Sequence, residues 1–425
     1  MQSPRGLVGR PADATGTGSL ALSGDVQGVF PSHYLRSAVE QGLIDAGEFK
    51  IPESSIQPAS IDLRLGEVAY RIRCSFLPDK RPVDLKLKEL IIDELDLRRD
   101  GAVLETNRPY LIPLIEELDL PESVRGKANP KSSTGRLDVF TRLITDYSYR
   151  FDEVAAGYSG KLYLEVVPLS FTVKVCQHLA LSQLRLAIGR STLSDEEIDE
   201  VHSDEGLLYR GQERLSKDEF ATADGLFLSL DLQGDEEERV GYRAKDHAPL
   251  LEMTRSGELW HEEYWDRVYR EAGDRVVLAP KRFYLLLSDE RVRIPPTLAG
   301  EMTAYDPTSG ELRTHYAGFF DPGFGYDPDG RFFGSRAALE VRAHDVPFMI
   351  EHRQRVCKLT FERMIERPEV LYGESIGSSY QRQEDTLSKH FRQELRAHEG
   401  RTAKSHADRG GEQPLLFEER SDDER

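Results

Sequence analysis

The chain has 425 residues and a formal net charge of −19, with 56 lysines and arginines against 75 aspartates and glutamates. This length suffices for two or three domains with cores of their own, and the acidic balance disfavours a general nucleic-acid binder, which needs a basic field. Three scattered cysteines and the lack of an apolar run of about 18 residues indicate a soluble protein of a reducing, cytoplasmic compartment rather than a disulfide scaffold or a membrane protein.

The N-terminal part of the chain predicts a disordered end followed by a first folded domain. Residues 1–28 contain Gly, Pro, Ala, Ser and Thr without apolar periodicity, so we expect them to be disordered. A helix is predicted over Tyr34–Gln41, where apolar residues share one face and Gly42 can cap the C-terminus. The first domain is predicted to span residues 29–190.

The most informative segment is Asn129–Arg136, which places hydroxyl groups, a glycine and an arginine in close succession. Hydroxyl and backbone N–H groups donate to phosphate oxygens, a glycine permits close approach of the backbone, and an arginine presents two parallel donors. An ordinary solvated turn fits the same composition, so both interpretations stay open at this point. The candidate phosphate-binding residues are Lys131, Ser132, Ser133, Gly135 and Arg136.

An acidic residue interrupts the apolar strand predicted at Leu162–Val167. Because side chains alternate along a strand, Glu165 lies on the same face as Tyr163 and opposite to Leu164. Glu165 is either exposed on an edge strand or held in a pocket of low dielectric constant, where its pKa is raised. Only the second arrangement provides a general base.

The chain contains an internal repeat. An offset of 174 residues relates Tyr110 to Tyr284, and an offset of 175 relates Glu165 to Glu340. A nearly constant offset over this length indicates duplicated domains. Each copy consists of short runs rich in Val, Ile, Leu, Tyr and Phe, broken by Gly, Pro, Asp and Ser, and this pattern is typical of an all-β barrel or sandwich.

The boundary between the copies is predicted at an acidic segment. Residues 191–204 lack apolar periodicity and are interpreted as a solvated linker, which leaves residues 205–372 for the second copy. Ser229–Leu232 is expected to repeat Ser60–Leu63. Trp260–Trp265 is predicted to form a helix that packs both tryptophans against the second copy.

Several segments, taken in their order along the chain, resemble the dCTP deaminase family, whose members share their fold with trimeric dUTPases. The similar segments are Ile56–Gly66, Ser132–Arg136, Tyr149–Asp152, Gly157–Glu165 and Ser379–Asp385, and the last resembles the segment that closes over nucleotide. The resemblance implies a tandem duplication of a dUTPase-like distorted β-barrel, or β-clip. A closing segment is expected at residues 373–395, and a disordered, charged tail at 396–425.

The resemblance also implies the reaction. We expect hydrolytic deamination of dCTP to dUTP and ammonia without zinc, which supplies dUTP for dTMP synthesis. Mg²⁺ is expected to travel with the triphosphate, dTTP is expected as an inhibitor, and the family habit is a homotrimer. The sequence agrees that zinc is not used, since His261-Glu262-Glu263 matches half of a zinc-deaminase motif but no Pro-Cys-x-x-Cys follows it.

Individual roles follow from the same resemblance. Glu165 is expected to take a proton from the water that attacks C4 of cytosine and to pass it to the leaving ammonia, while Ser132 orients that water. Tyr380 is expected to stack over the nucleotide. The residues expected to contact nucleotide are Lys131, Ser132, Ser133, Gly135, Arg136, Asp152, Tyr163 and Tyr380.

Two compositions of the site remain open. A site within copy one is favoured, because Asp152 and Glu165 are both present there. Sites in this family lie between barrels, so a hybrid site is the alternative, in which the phosphate loop of copy one meets Ala317, Asp321 and Glu340 of copy two. Copy two has Asp-Pro-Thr where copy one has its phosphate loop, so we do not expect copy two to bind a triphosphate alone.

Two other functions compete with a simple deaminase. One is a dUTPase, or a bifunctional enzyme that carries dCTP through to dUMP, which would release pyrophosphate. The other is a non-catalytic nucleotide-binding scaffold, which the altered loop of copy two makes credible for that half of the chain.

Overall fold

The structure, a computed structural model, describes residues 26–304, 312–314, 318–327, 329–330, 332–343, 345–373, 378, 380–381, 383 and 385–392, with only the backbone at Ala304 and Leu312–Thr314. The predicted disordered ends lie outside these residues, apart from residues 26–28. Within the described residues, short and mostly antiparallel strands predominate over a few short helices. The expectation of a mainly β protein is therefore confirmed.

Copy one begins with a helix and continues as a series of strands. Its helices are α1 (Ser32–Glu40), α2 (Val83–Leu87) and α3 (Ser132–Gly135). Its strands are β1 (Gly28–Val29), β2 (Ile44–Asp45), β3 (Ile61–Arg64), β4 (Val68–Ile72), β5 (Ile91–Asp96), β6 (Ala102–Leu104), β7 (Tyr110–Asp119), β8 (Val124–Pro130), β9 (Val139–Thr145), β10 (Glu153–Val154), β11 (Ser159–Pro168), β12 (Val173–Val175) and β13 (Ala180–Ile188).

Copy two follows after helix α4 (Asp195–Glu205). Its strands are β14 (Leu208–Arg210), β15 (Glu213–Arg214), β16 (Leu226–Ser229), β17 (Arg239–Ala244), β18 (Leu251–Glu252), β19 (Trp265–Tyr269), β20 (Arg275–Leu278), β21 (Phe283–Val292), β22 (Leu298–Ala304), β23 (Leu312–Thr314), β24 (Gly318–Phe320), β25 (Ser335–Ala343), β26 (Phe348–Glu351) and β27 (Arg355–Arg363).

Two sheets enclose the core of copy one. One has the order β1-β13-β8-β10 with β3 beside β13, and the other has the order β5-β4-β7-β11-β9 with β2 beside β7. Leu162, Leu164 and Val166 of β11 face the core, as their alternation predicts. Each fully buried side chain of this size contributes roughly 2 kcal/mol of hydrophobic free energy.

Copy two repeats this arrangement with matching strand register. Its sheets have the orders β16-β27-β22-β24 and β15-β14-β21-β17-β19, with β25 beside β21. Ala128 of β8 lies opposite Leu184 of β13, and Met302 of β22 lies opposite Leu359 of β27. These pairs are related by the offsets of 174 and 175 found in the sequence, so the predicted duplication is confirmed.

A buried glutamate recurs in both copies and corrects one detail of the repeat. Glu116 accepts a hydrogen bond from the backbone N–H of Arg64 (2.7 Å), and Glu290 accepts one from the N–H of Ser229 (2.9 Å). Arg64 is therefore the counterpart of Ser229. The expectation that Ser229–Leu232 repeats Ser60–Leu63 is wrong, because the similar letters occupy different positions on the strands.

The segment predicted to be a solvated linker, residues 191–204, instead contains most of α4. The Ser194 hydroxyl accepts from the N–H of Glu197, and the Glu197 carboxylate accepts from the N–H of Ser194, so the helix begins with a capping box. Ile198 and His202 are buried, and these two positions four residues apart supply the apolar face that the acidic composition obscured. None of the helices among the described residues combines the length and apolarity that a membrane span requires.

The predicted helix at Trp260–Trp265 is also wrong. Only His261–Glu263 forms a single 3₁₀ turn, and Trp265 begins β19. Trp265 packs edge-on against Phe171 of copy one, whereas Trp260 is 54% exposed. A core tryptophan of copy two therefore helps to bind the two copies together.

Polar contacts also join the two copies. β12 of copy one pairs in parallel with β18 of copy two. Glu301 lies 2.6 Å from the ammonium of Lys127 and accepts a hydrogen bond from Asn129 (3.0 Å). Arg342 forms an ion pair with the buried Asp138. We refer to this boundary between the copies as the seam.

Candidate active site

The segment that follows β8 carries the predicted phosphate loop. Lys131 is extended, with φ −65° and ψ 144°, and its carbonyl accepts from the N–H groups of Thr134 (2.8 Å) and Gly135 (3.0 Å). These bonds close the single turn α3, which contacts β24 of copy two. The turn therefore presents Ser132 to the seam rather than to open solvent.

A cavity lies at this point of the seam, and we call it the inner cavity. Both copies and the C-terminal segment line it. Copy one contributes Pro130, Lys131, Ser132, Gly135 and Arg136; copy two contributes Met302, Gly318, Phe319, Phe320, Asp321, Phe324, Ala338, Glu340 and Tyr372; the C-terminal segment contributes Tyr380 and Gln383.

A more polar space, which is more open to solvent, adjoins the inner cavity, and we call it the polar cleft. The two spaces share Lys131, Ser132, Phe319, Asp321, Tyr372 and Tyr380. Its other lining residues are Ser54, Gln57, Asp62, Ser133, Gln183, Ser378 and Lys389. An elongated ligand with one aromatic end and one anionic end fits this combination of spaces.

Glu340 projects from β25 into the inner cavity, directly against the phosphate loop. Its two carboxylate oxygens lie only 2.8 Å from where a Cβ atom would be at position 135. Gly135 is therefore required for close approach rather than for an unusual backbone conformation. The carboxylate of copy two and the loop of copy one occupy one site.

The pKa of Glu340 is raised to about 8. Burial is the main cause, since the side chain is removed from water and only 5% of the residue is exposed. Arg136 opposes this shift and Asp138 adds to it. The carboxyl group can therefore exchange a proton near neutral pH, as a general acid–base group must.

Asp321 is the second buried acid of the inner cavity. Burial raises its pKa to about 6, while Arg185 pulls the pKa down and Asp62 pushes it up. Arg185 is the nearest cation, 3.7 Å from Oδ1 of Asp321. The cavity thus contains two carboxyl groups of different acidity, of which Asp321 is ionised at neutral pH and Glu340 is largely not.

Arg136 is held by the C-terminal segment. Its guanidinium donates to the side chain of Gln383 (2.6 Å) and to the backbone carbonyl of Thr386 (3.3 Å), and it lies 3.7 Å from the centre of the Tyr380 ring. Arg136 is therefore covered rather than presented to the polar cleft. Its positive charge acts on Glu340.

The charges of the polar cleft come from two lysines and two aspartates, Lys131, Lys389, Asp62 and Asp321. Lys131 forms an ion pair with Asp62, whose pKa is raised mainly by burial. Lys389 lines the same cleft, and burial together with the neighbouring Lys131 lowers its pKa. Because Lys131 is already paired with Asp62, Lys389 is, among the described residues that line the cleft, the cation left to meet an anionic ligand.

The structure puts Glu165, the predicted general base, in a different place. Glu165 is fully buried, and its Oε1 accepts two hydrogen bonds from Arg142 (2.5 and 3.0 Å). The guanidinium of Arg142 stacks at 3.9 Å over the ring of Phe151. Glu165 does not line the inner cavity, so the preference for a copy-one site needs correction.

The other copy-one candidates, Tyr163 and Asp152, do not line the inner cavity or the polar cleft either. Tyr163 donates to Asp84 of α2 (2.9 Å), and Asp152 accepts from the N–H of Leu143 (2.7 Å). Burial raises the pKa of Asp152 to about 7, although Asp152 lines neither the inner cavity nor the polar cleft. A raised pKa therefore does not by itself identify a residue of the candidate site, as Asp152 shows.

Strand register shows that copy one has no acid at the position that corresponds to Asp321. Phe320 lies opposite Gly300, and Val154 lies opposite Gly126, which the offset of 174 makes the counterpart of Gly300. The residue after Phe320 is Asp321, so its counterpart is Ala155 rather than Asp152. Glu165 and Glu340 remain true counterparts, since they lie opposite Leu111 and Leu285.

The structure therefore brings together the predicted loop residues and the alternative acids. Lys131, Ser132, Gly135, Arg136 and Tyr380 line the inner cavity with Asp321 and Glu340, and Ser133 lines the polar cleft. Ala317 lies outside the described residues.

Sequence reasoning missed Asp62, Arg185, Tyr372 and Lys389. Asp62 and Arg185 could have been recognised in the sequence, because each is a charged residue within an apolar strand. Lys389 could not, since it is one lysine in a charged segment.

A group of metal-ligand type lies elsewhere. Among the described residues, Asp231, Asp289 and His352 have ligand atoms within 4.8 Å of one another. Both carboxylates already form ion pairs, Asp231 with Arg336 (2.8 Å) and Asp289 with Arg210 (2.9 Å). None of these residues lines the inner cavity or the polar cleft.

Family comparisons cover nearly all of the described chain. Residues 26–190 match the family described as 2'-deoxycytidine 5'-triphosphate deaminase N-terminal domain, and residues 194–391 match the C-terminal domain of the same description. A crystal structure of 2'-deoxycytidine 5'-triphosphate deaminase from Agrobacterium tumefaciens is 42% identical, with a TM-score of 0.75 over 81% of this chain and 100% of that chain.

More distant relatives match only part of the sequence. A "dCTP deaminase, dUMP-forming" from Methanothermobacter thermautotrophicus is 26% identical over 31% of this chain and 64% of its own length. A "dCTP deaminase" from Natronomonas pharaonis is 32% identical over 29% of this chain and 60% of its own length. The chain therefore spans less than two thirds of these two relatives.

Proposed function

This chain belongs to the 2'-deoxycytidine 5'-triphosphate deaminase family, a family of enzymes that act by deamination, and on that premise we propose that it hydrolyses dCTP to dUTP and ammonia in the inner cavity. The observation that carries this proposal is the close approach of Glu340 of copy two to Gly135 of copy one, which puts a buried carboxyl group on the lining of the cavity that Ser132 also lines. The resulting site belongs to both copies of one chain.

Glu340 is the proposed acid–base group. Its ionised form takes a proton from a water molecule, and the hydroxide adds to C4 of cytosine. The carboxylic acid so formed then delivers the proton to the amino nitrogen, the C4–N bond breaks, and ammonia leaves. One residue can serve both steps because its pKa of about 8 lies close to the working pH.

Two other side chains assist Glu340. The hydroxyl of Ser132 borders the cavity and would orient the attacking water. Arg136 lies close enough to favour the ionised form of Glu340, and Tyr380 and Gln383 hold its guanidinium in place. Arg136 is therefore proposed to act on the carboxylate of Glu340. The loop motif had instead indicated a contact between Arg136 and a phosphate group.

The triphosphate would occupy the polar cleft. Ser132, Ser133 and Lys131 border it from the loop, and Lys389 borders it from the C-terminal segment. Hydroxyl and ammonium groups are donors suited to phosphate oxygens. Mg²⁺ would arrive as part of the substrate, bound to the triphosphate.

We further propose that the reaction needs no zinc ion. The support is the donor set, since the described residues lining the inner cavity and the polar cleft offer carboxyl, hydroxyl and amino groups but no cysteine or histidine. Zinc deaminases bind their metal through His and Cys ligands. A homotrimer and inhibition by dTTP stay predictions from the family.

The direct test compares two matched substitutions of counterpart residues. We expect Glu340→Gln to reduce ammonia release from dCTP by roughly 10²- to 10⁴-fold, the usual contribution of a general acid–base group. Glu165→Gln should retain most of the activity and lose stability, because Arg142 would be left with a weaker buried partner. The reverse result would return the base to copy one.

A second candidate function is a bifunctional enzyme that releases dUMP and pyrophosphate. The printed names of several relatives, "dCTP deaminase, dUMP-forming", favour it. The assay should therefore measure pyrophosphate together with ammonia. Equal amounts of the two products would support the bifunctional enzyme, whereas ammonia with intact dUTP would support the simple deaminase.

A further inference from the structure

Arg185 is a buried cation that crosses the seam. It belongs to β13 of copy one, and only 2% of its surface is exposed. Its guanidinium donates to the Gly300 carbonyl and to the Glu362 carboxylate of copy two, each at 3.2 Å. The same group lies 3.9 Å from the ring centre of Phe319 and 3.7 Å from Asp321.

Phe319 and Asp321 form the wall that separates Arg185 from the ligand spaces. Both residues line the inner cavity and the polar cleft, whereas Arg185 lines neither. A charge behind this wall can act on a ligand only through the two residues in front of it. Arg185 stacks on one of them and faces the carboxylate of the other.

We propose that Arg185 is a positioning residue for the nucleotide site. It holds the ring of Phe319 in place by stacking on it, and it keeps Asp321 in its anionic form. The anionic Asp321 then accepts a hydrogen bond from an amino or hydroxyl group of the nucleoside. This inference rests on the proposed function, since it assumes that a nucleotide occupies the inner cavity. In this proposal a residue of copy one, Arg185, positions two residues of copy two that border the ligand, Phe319 and Asp321.

The geometry leaves Asp321 free to accept from a ligand. At 3.7 Å, the contact between Arg185 and Asp321 is an ion pair but too long for a hydrogen bond. Among the described residues, Oδ1 of Asp321 has no hydrogen-bond donor although it is buried. A buried acceptor without a donor costs free energy, so a ligand that supplies the donor gains affinity.

The charged and titratable groups around Asp321 come from several elements. Arg185 of β13 and Lys131 before α3 favour its ionised form, whereas Asp62 of β3 disfavours it. The phenol of Tyr372 also lies nearby, and its pKa is raised mainly by burial, with Asp321 as a minor cause. Arg185 is the foremost of the favourable charges, so its loss should raise the pKa of Asp321 above about 6.

Binding of dCTP to the full chain as a function of pH tests the proposal. Glu340→Gln serves as the background, so that turnover does not interfere with calorimetry. With Arg185 present, affinity should decline as the pH falls through about 6, because Asp321 becomes protonated. With Arg185→Gln, the midpoint should move up by about one pH unit or more, since each unit corresponds to a tenfold change in the protonation equilibrium.

Three further variants make the outcome specific. Arg185→Lys keeps the charge and should restore much of the original midpoint, which a purely steric role would not explain. Asp321→Asn should abolish the transition near pH 6. Lys127→Gln removes another ion pair of the seam, that with Glu301, and should leave the midpoint unchanged.

Several results would overturn the inference. They are an unchanged midpoint in Arg185→Gln, a shifted midpoint in Lys127→Gln, and a failure of the full chain to bind dCTP at any pH. If Arg185→Gln does not fold, Arg185→Lys decides, because a loss of the pH transition in that charged variant would contradict an electrostatic role. Nucleotide binding with the expected shifts but no ammonia release in the wild type would instead disprove the proposed function.

Discussion

Gly135 and Glu340 belong to different copies of the repeat, yet the carboxylate of Glu340 occupies the space that a side chain at position 135 would need. A Cβ atom there would lie 2.8 Å from both carboxylate oxygens, closer than normal van der Waals contact allows. The Glu340 carboxylate and the loop turn are therefore fitted to one another across the seam.

Gly135→Ala should impair catalysis without unfolding the protein. Its backbone is helical, so alanine introduces a clash with Glu340 rather than backbone strain. A displacement of about 1 Å of a catalytic group can cost on the order of 10²-fold in rate. We expect kcat to fall by about that factor while the Tm changes little. Gly211→Ala, in a turn with open space around it but with φ +61°, is the control: it should keep its kcat although backbone strain lowers its Tm.

The pH profile should follow the two acids of the inner cavity. Glu340 must be ionised to take the first proton, so kcat/KM should rise with pH until about 8 and then level off. Below a pH of about 6, protonation of Asp321 should add a second, steeper decline. A profile that is flat from pH 6 to pH 8 would contradict the assignment of Glu340.

Stability should respond to pH in the opposite direction. The pKa of Glu340 in the folded state lies above its ordinary value of 4.5, so the neutral form is the one that folding favours. Its contribution is fully present below pH 4.5 and is lost as the pH rises through about 8. Glu340→Gln should therefore unfold at a higher temperature than the wild type at pH 8, with a smaller difference at pH 5. Equal pH dependence of the two Tm values would count against a buried acid at this position.

Inactive variants should not complement one another. Ser132→Ala removes a group of copy one and Glu340→Gln removes a group of copy two, so each chain should lose its own site. Mixed assemblies, co-expressed with two tags and purified on both, should remain inactive if each site lies within one chain. Recovery of activity in the mixed assemblies would show that a site is shared between chains.

Lys389 should contribute to the binding of the triphosphate rather than to the chemical step. Loss of a charge-assisted hydrogen bond of roughly 1.5–3 kcal/mol predicts that Lys389→Gln raises the KM for dCTP about 10- to 100-fold, with kcat little changed. The KM for deoxycytidine, which has no phosphate, should not change. Arg392→Gln alters a cation of the same segment that stacks on Trp260, outside the cleft, and serves as the control. An equal effect on both substrates would disprove a phosphate contact.

The sequence predicted the β fold, the duplication and the loop residues, because these depend on local alternation, a constant offset and a compact motif. It could not decide between Glu165 and Glu340, which occupy equivalent strand positions. The difference lies in their partners, since Arg142 neutralises one and Gly135 makes room for the other. Both contacts depend on packing between distant segments. The prediction of a solvated linker at residues 191–204 was wrong for a related reason, because α4 packs through only two buried residues, Ile198 and His202.

A catalytic unit divided between two fused barrels changes the constraints on each of them. In a ring of identical barrels, each interface consists of one barrel that contributes the loop and one that contributes the pocket. Every substitution would then be present in both barrels. Under the proposed function the two duties are separated in this chain, so copy two can carry Asp306-Pro307-Thr308 at the loop position and copy one can pair Glu165 with Arg142. The two copies can therefore differ in their roles while their ratio stays fixed at one to one.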